Sequence, residues 1–226
     1  MSDSWIYKVG LSQNETSEDQ LKRSGFKFSL VIPREEMIAS AKRVLGASYK
    51  RGASVLRDAP QSFDCSSLAA WCAVQAGFSI PRISIDQYVY SERINKEDLK
   101  PGDLIFINTK QIVHTDGLYF SQVLGMEVKE EAIRTETLEF MPGTKVPEGV
   151  DHVGIYSGND EVIHASGKTG SVIEEKLDQN SAFKNIVGYG RIINNEEKRF
   201  VVEIPETRAD LRKRENLIKE LSTFVD

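Results

Sequence analysis

The chain is short of several things that would declare a class. It has two cysteines and three histidines in 226 residues, so neither a disulfide framework nor a cysteine-rich zinc module is on offer. Cys65 and Cys72 lie seven positions apart in one expected helix, which holds their Cα atoms roughly 10 Å apart, too far for a disulfide. Charge of one sign is also missing. With 29 Lys and Arg against 34 Asp and Glu, the net charge of −5 gives no general attraction to nucleic acid or an anionic membrane.

No long hydrophobic run occurs. The longest uncharged stretch, Cys65 to Pro81, is broken by Ser66, Ser67, Gln75 and Gly77 and falls short of the roughly 20 apolar residues of a membrane span. Met1 to Gln20 carries Asp3, Glu15, Glu18 and Asp19 and lacks the apolar centre of a secretory signal. The sequence as given is therefore expected to be cytoplasmic, with export by another route left open. A composition that is 40% hydrophobic and 28% charged leaves a folded globular domain as the expectation.

Organisation follows from pattern. Residues 1–32 read as an N-terminal extension, polar and acidic to Gln20, then apolar at Phe26, Phe28, Leu30, Val31 and Ile32. Pro33, Glu35 and Glu36 suit a helix start, and Met37, Ile38, Ala41, Val44 and Leu45 give one apolar stripe ending at Gly46. Ser66 to Ala76 reads as a nearly all-apolar, buried helix closed by Gly77. A short helix is expected around Asp86 to Arg93, and Lys100-Pro101-Gly102 turns into a strand at Leu104 to Ile107.

Four short strands follow at His152–Tyr156, Glu161–Ala165, Val172–Leu177 and Ile186–Ile193, spaced for antiparallel meanders. The fold class is therefore α+β, with N-terminal helices packed on an antiparallel β-sheet, and the main domain spans 33–195. Residues 108–150 are too long for a plain connection and read as an inserted lid, subdomain or binding loop. The segment 196–226 reads as a C-terminal extension of a strand and an amphipathic helix, the helix over Glu206 to Asp226 carried by Leu211, Ile218 and Leu221.

Cys65 stands at the entrance of the buried helix. A helix N-terminus offers partial positive charge and unpaired N–H groups, which favour thiolate and can bind an oxyanion. Cys72, two turns further in, is expected to be a small buried hydrophobe. A thiolate nucleophile needs a base, and the choice is among His114, His152 and His164. His114 sits beside Asp116 in the insertion and reads as a surface or loop-tethering residue.

His152 and His164 flank a strand–turn–strand pattern. An odd loop centred on Gly158 would set the two rings directly opposite each other, whereas a Gly158-Asn159 turn would put them on opposite faces unless a bulge intervened. A helix-start cysteine with two strand histidines suits a nucleophile, base and orienting residue. Zinc is disfavoured, because no CxxC or HxxxH spacing accompanies them.

Asp64-Cys65-Ser66, Lys100-Pro101-Gly102-Asp103-Leu104 and His152-Val153-Gly154-Ile155-Tyr156 followed by His164-Ala165 together resemble the NlpC/p60 family of bacterial cell-wall cysteine peptidases. The resemblance covers about residues 34–193, less 108–150. It implies a papain-like α+β fold, with Cys65 as nucleophile, His152 as general base and His164 as the residue orienting that base. It also implies that Tyr49 lines the site, helping to position substrate or the oxyanion, and that Asp64, Ser66 and Ser84 match positions binding the free amine of an N-terminal L-alanine. For Asp64 a helix cap is the competing role.

The implied substrates are peptidoglycan fragments or muropeptides. The implied reaction is hydrolysis of the amide joining D-glutamate to diaminopimelate or lysine, with no cofactor. Arg51-Gly52 departs from the usual aromatic-Gly-Gly, and Ser67 stands where glycine is common. An acyltransferase or amidase on the same fold, and a non-catalytic binding module, are the alternatives. The sequence sets no oligomeric state.

Overall fold

The computed structural model describes residues 7–109, 118–121, 126–129, 139–141, 144–145, 150–178 and 181–224. In chain order the elements begin β1 (Tyr7–Ser12), α1 (Glu18–Ser24), β2 (Phe28–Val31), α2 (Pro33–Arg43), β3 (Ser48–Tyr49) and β4 (Ser62–Phe63). There follow α3 (Cys65–Gln75), α4 (Ser84–Tyr90), β5 (Glu92–Ile94) and β6 (Leu104–Ile107). Within the insertion, β7 (Leu118–Ser121) pairs with β8 (Met126–Lys129), and β9 (Glu139–Met141) with β10 (Thr144–Lys145), both antiparallel. His114 lies outside the described residues. The chain continues through β11 (His152–Gly158), β12 (Glu161–Ser166), β13 (Ser171–Lys176), β14 (Ile186–Arg191), β15 (Arg199–Ile204) and α5 (Arg214–Leu221).

The main sheet has eight strands in the order β4-β3-β13-β12-β11-β6-β14-β5. Every pairing is antiparallel except β3 with β4. The expected α+β class with helices on an antiparallel sheet is what forms. Successive strand residues face opposite sides. Phe106, Val153, Ile155, Ile163 and Ala165 turn toward α2 and α3 in the largest apolar cluster, while Ile105, Ile107 and Val162 face the other way, onto Phe183. Helix α3 is buried nearly all round, as its uninterrupted apolar sequence requires.

The turn before β6 is held by a fully buried carboxylate. Asp103 accepts from Arg34 Nη1 at 2.9 Å, from Arg191 Nε at 3.1 Å and Nη2 at 2.7 Å, and from the Lys100 backbone N–H at 2.8 Å. These contacts tie the start of α2 and the end of β14 to the centre of the sheet. Removing one partner of such a group would cost about 3–5 kcal/mol.

The two terminal segments, which sequence pattern leaves as separate extensions, pair with each other. β15 lies between β1 and β2 in a three-stranded sheet. Leu11, Leu21, Val202, Ile204, Leu217 and Leu221 close a second core beneath it. This sheet docks on the end of α3 by a close approach of backbones. A Cβ on Gly10 would come within 2.0 Å of the Gly77 carbonyl oxygen, so no other residue fits there.

Three expectations are corrected. The short helix occupies Ser84–Tyr90 rather than Asp86 to Arg93, because Glu92–Ile94 is drawn into the sheet edge beside β14. The C-terminal segment is not one helix. A 3₁₀ stretch over Glu206–Arg212 contains the non-helical Arg208, and the α-helical part begins only at Arg214, so that Leu211, Leu217 and Leu221 all reach the terminal core. Residues 1–32, read as a plain extension, hold an α-helix and two strands. The capping box in which Ser17 and Gln20 cap α1 reciprocally was visible as a pattern.

Candidate active site

Asp64 caps α3. Its Oδ1 accepts the Ser67 N–H at 2.7 Å, and the Ser67 hydroxyl returns the bond by accepting the Asp64 N–H at 2.8 Å. Ser67 is thus half of a capping box. The cap places Cys65 at the first position of the helix, where backbone N–H groups have no partner inside the helix. Cys65 is half-buried and Cys72 fully buried, both as free thiols.

The Cys65 sulfur meets β11 directly, accepting the backbone N–H of Val153 next to His152. That N–H is available because the β11–β12 ladder stops at Ile155↔Ile163 and the strands part beyond it. The thiol at the helix start thus sits where the two histidine-bearing strands separate.

His152 Nε2 and His164 Nδ1 are 2.8 Å apart, with ring centroids at 5.0 Å and planes at 89°. The turn between their strands is Asn159-Asp160, both with positive φ, as a two-residue hairpin favours. A bulge between Tyr156 and Gly158 restores the shared face. The rings do not stand directly across the ladder, as the odd-loop expectation had them. Carrying the Ile155↔Ile163 register one step further sets Gly154 opposite His164 and makes His152 its diagonal neighbour.

Gly154 keeps the space between the histidines open. A Cβ there would lie 2.4 Å from Val162 Cγ2 and 2.6 Å from Phe183 Cζ. Phe183 packs edge-on against His164 at 5.0 Å and tilted by 57° against His152 at 5.7 Å, closing the pair from the far side.

Both imidazoles are held neutral. Burial pushes His152 down to about 4. Burial also lowers His164, with the His152 charge adding to the effect and Glu175 opposing it. The thiol departs from expectation. Burial and then the Asp64 charge push Cys65 up to about 12, against the N–H groups of Val153 and Ser66 and the Arg82 charge. The helix end therefore does not yield a resting thiolate. Desolvation of the anion outweighs a partial charge.

Tyr49 stands on β3 beside the site. Burial raises its phenol, and the Cys65 and Asp64 charges raise it further. Its ring packs 3.4 Å from where a Cβ on Gly167 would stand, in the turn after β12. The Asp64 and Ser66 side chains are already engaged. Arg82 Nη2 bonds Asp64 Oδ2 at 2.6 Å, and Arg82 Nη1 donates to the Ser66 hydroxyl at 2.9 Å. Ser84 opens α4 and makes no hydrogen bond to either, although Gln87 of that helix donates to the Ser66 carbonyl at 2.9 Å.

Sequence pattern had missed Arg82, Phe183 and Glu175. Only for Glu175 was a signal present. The period-two alternation along β13 puts it on the face of Ile173, the residue paired with His164.

The architecture is thus an α+β domain whose helix-start cysteine meets the backbone of the strand that carries the first of two histidines. Residues 46–140 match the NlpC/P60 family, a span that holds Cys65 and ends before both histidines. A probable endopeptidase p60 of Listeria monocytogenes is 30% identical over 156 residues, covering 69% of this chain and 23% of that protein. The gamma-DL-glutamyl hydrolase of Bacillus subtilis is 33% identical over 89 residues, covering 38% of this chain and 21% of that protein. The solved structure of NlpC1 from Trichomonas vaginalis shares the fold at a TM-score of 0.50 and 22% identity, covering 74% of this chain and 46% of that one. The chain belongs to the NlpC/P60 family. It spans under a quarter of the length of the two curated relatives. Among the described residues no helix is long and apolar enough to cross a membrane.

Proposed function

We propose that the chain is a cysteine peptidase that hydrolyses amide bonds in peptidoglycan stem peptides, at the γ-D-glutamyl bond to diaminopimelate or lysine. The observation that carries the reading is the 2.8 Å contact of the two histidines on the strand whose backbone bonds the Cys65 thiol. The similarity to a γ-DL-glutamyl hydrolase supports the choice of bond.

With His152 Nε2 taken by His164, Nδ1 is the nitrogen left to receive a proton. Thiol and imidazole start neutral, so His152 takes the proton as the sulfur attacks the carbonyl, rather than from a preformed ion pair. Backbone N–H groups at the start of α3 hold the oxyanion, and Tyr49 lines the approach. The protonated His152 then gives its proton to the departing amine, and water, deprotonated by His152, releases the acyl group from sulfur.

Digestion of purified muropeptides of defined composition tests this. Cys65→Ala should abolish cleavage while leaving the melting temperature and circular dichroism unchanged. Cleavage surviving that substitution would end the proposal. The same digests, run with free and N-acylated terminal alanine, should proceed at similar rates, because Arg82 already occupies the Asp64 and Ser66 groups. A strict need for the free amine would show that Arg82 is displaced by substrate.

A further inference from the structure

The contacts that begin at His152 continue beyond His164. His164 is 1% exposed, and its Nε2 lies 3.1 Å from Glu175 Oε1 on β13. The contact is off the ideal N–H line, yet no better-aligned acceptor faces this buried nitrogen among the described residues. A buried donor left without an acceptor is costly, so the carboxylate is its partner. The same Oε1 accepts the Ala182 N–H at 3.0 Å, which fixes the carboxylate and anchors the segment carrying Phe183. His152, His164 and Glu175 stand on successive strands β11, β12 and β13, each diagonal to the next on one face of the sheet.

We propose that Glu175 is a positioning residue that sets the direction of the His152–His164 hydrogen bond and so decides which nitrogen of His152 is free to act as base. A carboxylate only accepts, so His164 must carry its proton on Nε2. Its Nδ1 is then bare and accepts from His152 Nε2–H, which leaves the His152 Nδ1 lone pair unprotonated. Without Glu175, His164 can take the opposite tautomer and donate from Nδ1. That would place the His152 proton on Nδ1 and block the base. No covalent step is involved, and the consequence for catalysis rests on the proposed roles of Cys65 and His152.

The test is long-range proton–nitrogen NMR of the histidine rings in the full chain, at about pH 7.5, where both are neutral. In the wild type, His164 and His152 should each carry the proton on Nε2. Glu175→Leu should give mixed tautomers at both rings, with kcat on a muropeptide falling roughly ten- to a hundred-fold and KM little changed. Glu175→Asp should recover part of the rate. Glu175→Gln retains an acceptor for the Ala182 N–H but no longer dictates the tautomer, so it separates positioning from packing if the leucine variant does not fold. A wild-type proton on His164 Nδ1, or tautomers unchanged in the leucine and glutamine variants, would overturn the proposal. Because the NMR readout needs no turnover, a wild type that fails to cleave would overturn the peptidase reading and leave Glu175 to be judged by its spectrum.

Discussion

Two buried polar clusters share the main sheet, and they are built to opposite rules. Around Asp103 both carboxylate oxygens are taken by two guanidinium groups and a backbone N–H. The arginines spend further donors on carbonyls, Arg34 on Ile193 at 2.7 Å and Arg191 on Asp98 at 2.6 Å. That network is charged, and only Arg34 Nε among these groups lacks an aligned acceptor. The histidine cluster is neutral and runs in one direction, from Glu175 through His164 to His152, with one ring nitrogen of His152 left over. A network of fixed charges holds three elements in place, whereas a neutral one with a spare nitrogen can pass a proton.

The contrast breaks first at His152 and Asp103. His152→Ala should lower kcat by roughly 10²–10⁴-fold and cost about 1–3 kcal/mol of stability, since it leaves the buried His164 Nδ1 without its partner. Asp103→Ala should instead cost about 3–5 kcal/mol, with little direct effect on kcat, by removing the fully buried carboxylate that pairs the largely buried Arg34 and Arg191. Urea titration alongside muropeptide hydrolysis separates the two, and a stability loss at His152 matching that at Asp103 would erase the distinction. Next comes Gly154→Ala, whose new methyl collides with Val162 and Phe183. About 1–3 kcal/mol of overpacking is expected, with activity falling further than stability because Phe183 supports both rings. A variant of full activity would show that Phe183 does not hold the pair.

The gentlest probe is pH. Burial lowers the folded-state pKa of His152 from 6.5 to about 4, so the unfolded chain binds a proton in that window that the folded chain refuses. This contribution to stability is complete above pH 6.5 and is lost as pH falls toward about 4. His164 shifts in the same direction. Thermal melts across that range should show the slope, and it should be reduced in His152→Ala. An unchanged slope in that variant would place the titration elsewhere.

The legible parts of this molecule are those where local chemistry and periodicity agree. Pro33 with Glu35 and Glu36 announced α2, and Asp64 announced the start of α3. The alternating runs over β11, β12 and β13 announced a meander whose strands differ from expectation by a residue or two at their ends, whereas β14 leaves it to pair with β6. Cys65 and the two histidines could be picked out because few residues of either kind exist to choose from. Arg82 was not legible, since nothing in the run Pro81-Arg82-Ile83 says that its side chain returns to Asp64 and Ser66. The pairing of the two chain ends was equally hidden, because β1 and β15 are separated by nearly the whole sequence.

By itself, the sequence determined the class, most of the elements from Pro33 to Arg191, the buried helix and the choice of candidate thiol and imidazoles, all of which follow from side-chain chemistry and short-range spacing. Only the tertiary structure decided the bulge that brings His152 and His164 to one face, the carboxylate of Glu175 behind them and the neutral state of thiol and rings. Register, diagonal contact and desolvation depend on which strands lie side by side and how much water they exclude, and those are set by the packing of the whole sheet.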